Sequence, residues 1–350
     1  MTTGRRRGGG TSPLPGIRAV TSTANWPPTH RYLGRPLASS PLHAPDDPRY
    51  AALWDASPGR TAFDHPAAVA AFSDAFGLHA RILAVEEDDA WTAAVPVYEK
   101  RRGPFVASAL PPLCPVHRPL LAVPLAEAAS HRRDSPLDVL LARLGAEVDQ
   151  AMLALAEDDL RPYAWAGWTV TPRSTYHLPL DRDVAARFSS DVRRRIRRDS
   201  ADYEVVEDPA LASEAVRLIH ASYRRHDLDL GLDEARMTGL AEAFQHAGLA
   251  RTVAARRDGV VEAAVVIATD GRTAFYWIAG SIPGPAMTVL LGQTLPRLAD
   301  EGHTLFDFCG ANTPSVAEFK RRFGPVLAPA PLARLVPHPV LRLADRLRAR

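Results

Sequence analysis

Between Ser189 and Asp199, five arginines (Arg193, Arg194, Arg195, Arg197 and Arg198) fall within six positions. Guanidinium groups grip phosphate oxygens through paired hydrogen bonds, so such a run is either a phosphate-binding surface or a solvated basic face. Ser189/Ser190 read as the start of a helix, with Val192 and Ile196 as the inward stripe. At 100° per residue Arg193 and Arg197 flank that stripe, Arg194 and Arg198 point away, and Arg195 can pair with Asp199. Lysine occurs only at Lys100 and Lys320, although arginine and lysine together number 42. Lys320 lies one turn after Val316 in a helix expected from Thr313 to Phe323, opened by Thr313 with Pro314 or by a Ser315-x-x-Glu318 capping box. Val316, Phe319 and Phe323 are the expected buried face, from whose edge a lysine stem can pack while its ammonium reaches a cleft or snorkels to solvent. Asp307, in a strand from Thr304 to Phe308, faces opposite to Phe306 and Phe308. A carboxylate at the C-terminal end of a strand can orient or deprotonate an amine, or simply cap Ala311 to Thr313 or pair with an arginine.

Several chemistries are excluded. Cys114 and Cys309 are far apart and form no CxxC pair or His/Cys cluster, which argues against zinc and against a disulfide framework. Phe306 and Phe308 beside Cys309 point to burial rather than to a covalent nucleophile. There is no HExxH, Walker loop, EF-hand or Ser/His/Asp order. No apolar run is long enough to span a bilayer, and the basic start lacks the apolar segment of an export signal, so a soluble, cytoplasmic protein is expected. With 46% hydrophobic and 23% charged residues, neither a disordered chain nor a fibrous repeat fits, and the 350 residues suggest two domains with a cleft between them.

The elements that must hold these residues follow from punctuation and period. Residues 1–45 read as a basic Pro/Gly/Ser tail. A first domain, 46–162, has a helix capped by Asp64, two strands (Arg81 to Val85 and Trp91 to Tyr98), a proline-rich crossing at Leu110, and a long helix from Pro136 to Glu157. A second domain, 163–335, has strands near Tyr163 to Thr169 and Ser174 to Leu180, the arginine-rich helix, and two further helices. Three strands then follow (Arg251 to Arg256, Val260 to Thr269 and Thr273 to Ala279), turned by Asp258-Gly259 and Asp270-Gly271, and a helix from Pro285 to Asp300 comes next. Residues 336–350 read as a basic helix or tail. Tyr276 and Trp277 face opposite sides of the third strand, one into the core and the other into the groove.

Phe306-Asp-Phe-Cys-Gly-Ala-Asn followed by Phe319-Lys-Arg-Arg-Phe-Gly resembles the C-terminal signature of FemAB-like acyltransferases, a branch of the GNAT N-acyltransferase superfamily. Tyr176-His-Leu-Pro-Leu-Asp with the Ser189–Arg198 helix is similar to the opening of that family's second domain. The resemblance covers about residues 50–330 and implies an α+β fold of two tandem GNAT-like domains, each a mostly antiparallel twisted sheet flanked by helices. It further implies transfer of an acyl or aminoacyl group to an amine of a cell-envelope or polysaccharide precursor. Acyl-CoA or aminoacyl-tRNA would be the co-substrate, with no tightly bound cofactor and no metal. On this reading Arg193 and Arg197 hold phosphate, Lys320 stabilises charge on the reacting carbonyl, Asp307 orients or deprotonates the amine, and Tyr276, Gly310 and Asn312 bind substrate. Where acetyltransferases of this superfamily expose successive amides to pyrophosphate, Gly280-Ser-Ile-Pro-Gly-Pro places Pro283 and Pro285, which lack an N–H. Two alternatives remain: acyl-CoA-dependent acetylation of a small amine or amino sugar, and a non-catalytic RNA- or polyphosphate-binding module on the same scaffold.

Overall fold

The computed structural model describes residues 42–128, 135–225, 227 and 229–348. The expected tail therefore lies, up to residue 41, outside the described residues. The first half runs α1 (Pro48–Ala56), α2 (Pro66–Phe76), β1 (His79–Glu87), β2 (Ala90–Arg102), β3 (Phe105–Ser108), β4 (Leu120–Leu121), α3 (Leu125–Ala128), α4 (Pro136–Glu147), β5 (Gln150–Ala154), α5 (Arg161–Trp165) and β6 (Thr169–Thr171). The second runs β7 (Ser174–Pro179), α6 (Ser190–Asp199), β8 (Glu204–Glu207), α7 (Ala212–Arg224), α8 (Glu234–His246), β9 (Ala250–Arg257), β10 (Val260–Thr269), β11 (Thr273–Ser281), α9 (Ala286–Asp300), β12 (Leu305–Asp307), α10 (Pro314–Arg321), β13 (Val326–Pro329), β14 (Leu332–Leu335) and α11 (Pro339–Arg348).

Two mixed sheets result. One has the order β1-β2-β3-β5-β14-β6 with β4 beside β2, and the other the order β13-β7-β12-β11-β10-β9-β8. Each is antiparallel except for one short parallel pair: β3 with β5 in the first, β11 with β12 in the second. This repetition is the tandem architecture that the sequence implied. The Asp-Gly turns form the β9-β10-β11 meander as expected, with Asp258 at φ 51° and Gly259 at φ 80° closing the first hairpin.

Local pattern misled in four places. The helix expected over Pro136 to Glu157 stops at Glu147; Val148 is extended, and Asp149 accepts a hydrogen bond from the Val106 N–H at 2.8 Å, aligning Gln150–Ala154 as a strand beside β3. The strand expected near Tyr163 is instead the short helix α5, followed by β6. Asp64 does not cap α2; His65 does, and Asp64 is buried in a 3-10 turn. The first sheet also takes in β6 and, late in the chain, β14 between β5 and β6, so the chain crosses between sheets at residues 172–173 rather than at 163.

Three apolar cores hold the layers. One lies under α4 in the first half and one under α9 in the second. The third is shared between the halves and is aromatic. Phe63 lies 5.1 Å from Phe275 and Phe244 lies 4.4 Å from Trp277, ring centroid to centroid, and the Trp277 indole N–H donates to the Leu113 carbonyl at 2.6 Å. Fully buried aromatics of this kind contribute about 1.5–3 kcal/mol each, enough to fix the two halves against each other. Close approach is built in at Gly280, where an added Cβ would meet the Ile219 backbone at 2.2 Å, so α7 sits directly on β11.

Candidate active site

The parallel pairing of β11 with β12 covers only Thr273–Phe275 against Leu305–Asp307. Beyond Asp307 the chain follows β7 instead. Phe308 N–H donates to Tyr176 O, Gly310 N–H to Thr175 Oγ1 and Ala311 N–H to Ser174 O, at 2.8–2.9 Å. Strand β11 meanwhile continues to Ser281. The two parallel strands therefore diverge into a wedge whose walls are Tyr276–Ser281 and the 308–312 turn.

Asp307 shares the face of its register partner Phe275, which looks towards the first half. It is buried, and three donors fix it: Thr175 Oγ1 at 2.5 Å and the Cys309 N–H at 2.7 Å, both on Oδ1, with His177 Nε2 at 3.3 Å from Oδ2. His177 is its cross-strand neighbour and remains partly exposed. A histidine held through one ring nitrogen by a carboxylate keeps the other free to take a proton. Neither Thr175 nor His177 was singled out from sequence; their signal was alternation with Tyr176 in the strand next to the motif.

Lys320 occupies the opposite side of the turn. The sequence expected it at the edge of a face made by Val316, but Val316 is 44% exposed and Lys320 only 5%. Helix α10 is turned so that the ammonium donates to Phe308 O at 2.7 Å and Gly310 O at 2.8 Å and lies 5.5 Å from the Tyr276 ring. Burial pulls the Lys320 pKa down, opposed by Cys309 and Asp307. Burial likewise pushes the Tyr276 phenol up, and it raises the Cys309 thiol far above the thiolate range, as expected for an inert cysteine. Cys309 and Gly310 are consecutive left-handed residues, φ 53° and 116°, and Lys320 clamps the carbonyls on either side of this strained step. Asn312 closes the turn, accepting from Ser174 N–H at 3.0 Å and donating to Ser174 O at 2.9 Å. Five of the expected site residues, Asp307, Gly310, Asn312, Tyr276 and Lys320, thus surround one turn. Of the Tyr276 and Trp277 pair, Trp277 fills the shared aromatic core and Tyr276 stands beside Lys320.

The arginines stand on another element. Of the Ser189/Ser190 pair expected to open the helix, Ser189 is the N-cap of α6, and Ile196 packs over Gly292, where an added Cβ would come within 2.3 Å of Ile196 Cδ1. The Arg193 guanidinium donates to the carbonyls of Ala186, at 2.9 Å, and Phe188. Arg194 pairs with Asp191. Asp199 is held by Arg198, Nε to Oδ1 at 2.6 Å, rather than by Arg195, because the adjacent guanidinium reaches both carboxylate oxygens. Arg197 is exposed and makes no hydrogen bond or ion pair with a described residue. The N-terminus of α6 adjoins the end of α10, with Ser189 N–H donating to Arg322 O at 2.8 Å.

Residues 186–321 match the family model of the acetyltransferase (GNAT) domain. The second half has a GNAT-like fold over this stretch. Among solved structures the chain is similar to FemX, with 12% identity over 85% of this chain and 97% of that one at a TM-score of 0.67. It is also similar to a tandem GNAT protein from the clavulanic acid biosynthesis pathway, with 15% identity over 85% and 98% at 0.52, and to L-PGS from Bacillus licheniformis, with 13% over 83% and 92% at 0.52. These likenesses establish a tandem GNAT fold. No curated protein sequence matches the chain.

Within the matched stretch the β11–α9 connection has the form its prolines dictate. Pro285 is itself the N-cap of α9, and Val289 N–H bonds back to its carbonyl at 3.0 Å. The amide donors left for an anion at this helix start are those of Ala286, Met287 and Thr288. Among the described residues no group of His, Cys, Asp or Glu could hold a metal ion, and no helix is long and apolar enough to cross a membrane.

Proposed function

We propose that the protein is an N-acyltransferase of FemAB type, which moves an acyl or aminoacyl group onto an amine of a cell-envelope or polysaccharide precursor inside the cell. The observation that carries this reading is the wedge between β11 and the 308–312 turn, with Asp307 and His177 at its mouth. The donor carbonyl lies along the free edge of β11. The acceptor amine attacks it on the Asp307 side; a C–N bond forms, the thioester C–S or ester C–O bond of the donor breaks, and the amine's proton passes to His177, which Asp307 holds in one tautomer. Lys320 is a positioning residue. It fixes the turn from behind by holding the Phe308 and Gly310 carbonyls, and so sets the shape of the wedge in which the donor carbonyl reacts. Donor phosphates lie against α6, on Arg197 and on the nitrogens of Arg193 that its carbonyl contacts leave free. Pro283 and Pro285 thin the amide cradle that a coenzyme A pyrophosphate would need, which favours aminoacyl-tRNA over acyl-CoA as donor.

The test is the melting temperature of the full chain with coenzyme A, acetyl-CoA, charged tRNA and UDP-linked amino sugars, followed by transfer assays with whichever ligand stabilises it. A shift with charged tRNA or a UDP precursor is expected. A shift with coenzyme A alone would move the donor assignment to acyl-CoA, and the absence of any shift would favour a non-catalytic module.

A further inference from the structure

Helix α11 and the β2–β3 hairpin form a patch that takes no part in the wedge. Val340, Leu343 and Leu347 are spaced three and four apart along α11, so they form one stripe, and they are 58%, 58% and 66% exposed. None of them belongs to the three cores. The same helix carries Arg342, Arg346 and Arg348 against the single acidic residue Asp345. At 100° per residue, position 342 falls away from the stripe.

A second basic element adjoins this helix. His338, just before α11, meets Phe105 of β3 edge to face with ring centroids 5.0 Å apart, and Arg342 anchors the first turn to the carbonyls of Val336 and Pro337. That contact brings the helix to the β2–β3 hairpin tip. Lys100, Arg101 and Arg102 there are exposed, and none of their side chains makes a hydrogen bond or ion pair with a described residue. An apolar stripe beside a hairpin of unpaired cations suits a surface that is apolar beneath and anionic above.

We propose that this patch docks the protein reversibly on an anionic lipid bilayer, with Val340, Leu343 and Leu347 in the headgroup boundary and the hairpin cations over lipid phosphates. A second copy of the chain would set like charges against each other, and RNA would leave the apolar stripe uncovered, so charge and apolarity together favour the bilayer. The helix is ten residues long, too short to span one.

The experiment is co-sedimentation of the full chain with vesicles of phosphatidylcholine alone and of phosphatidylcholine mixed with phosphatidylglycerol. Binding is expected only to the mixed vesicles and falls as salt rises. The double variant Leu343→Asp, Leu347→Asp weakens it about tenfold or more while leaving the melting temperature unchanged, because neither side chain is in a core. Replacing Lys100, Arg101 and Arg102 by Gln weakens it and flattens the salt dependence. No binding to mixed vesicles, equal binding by the double variant, or a dimer that the same variant abolishes would overturn the proposal, as would capture of tRNA by these residues without vesicle binding.

Discussion

Asp64 is a carboxyl group sealed in the first half at 1% exposure, and its neighbours do not fully repay the burial. Its Oδ2 accepts from Thr61 Oγ1 at 2.7 Å, but the nearby Arg118 is shared with Glu157, 3.0 Å away, and with the Gly59 carbonyl. Burial therefore raises its pKa to about 7, against the Thr61 hydrogen bond and the Arg118 charge. The folded state then binds a proton that the unfolded chain releases near pH 4. Stability contributed by this group is full below the unfolded pKa and is lost as pH rises through 7, roughly 4 kcal/mol in all and more than half of it between pH 5 and 8. His117 works in the opposite direction. Buried neutral, with its pKa lowered to about 4, it makes the folded state gain stability as pH rises from 4 towards 6.5, so the wild-type profile is partly flattened. Asp64→Asn isolates the carboxyl. Urea unfolding of both proteins at pH 5 and pH 8 should show the variant's stability rising relative to wild type by about 2–3 kcal/mol over that interval. Parallel pH profiles would refute the argument, since they would mean that Asp64 takes up no proton on folding.

Gly280→Ala should destabilise more than Gly292→Ala, at or above the upper end of the ~1–3 kcal/mol typical of overpacking, because Gly280 meets backbone and Gly292 only the flexible end of Ile196; differential scanning calorimetry checks the order. Lys320→Met leaves the buried Phe308 carbonyl, at a cost of about 1–3 kcal/mol, and the part-buried Gly310 carbonyl without their donor, so both the melting temperature and kcat should fall; an unchanged kcat/KM would sink its positioning role. Arg197→Ala should raise the donor KM and lessen its salt dependence with little change in melting temperature, measured by steady-state kinetics at two ionic strengths.

The meander was legible because Asp-Gly pairs dictate their turns locally, and the helix start at Ser189/Ser190 for the same reason. The strand β5 was not. Val148, Ala151, Leu153 and Leu155 satisfy a helical and an extended spacing alike, and the choice is made by pairing with β3 and β14, which no local window contains. In the site, Asp307, Gly310 and Asn312 sit together because they are consecutive in a short motif, whereas His177 joins them through a strand pairing that spans 130 residues. The inward turn of Lys320 also escaped the pattern. A lysine reads as polar, yet the carbonyls left by two left-handed residues make the interior its best-satisfied position, at the expense of Val316.

The most direct test is a crystal structure of the protein with whichever donor raises its melting temperature. Donor density should run along Tyr276–Ser281, with the reacting carbonyl beside Asp307 and its phosphates towards α6. Density elsewhere, for instance in the depression lined by Trp54, His65, Arg251 and His303, would contradict the assignment of the wedge as the site of acyl transfer.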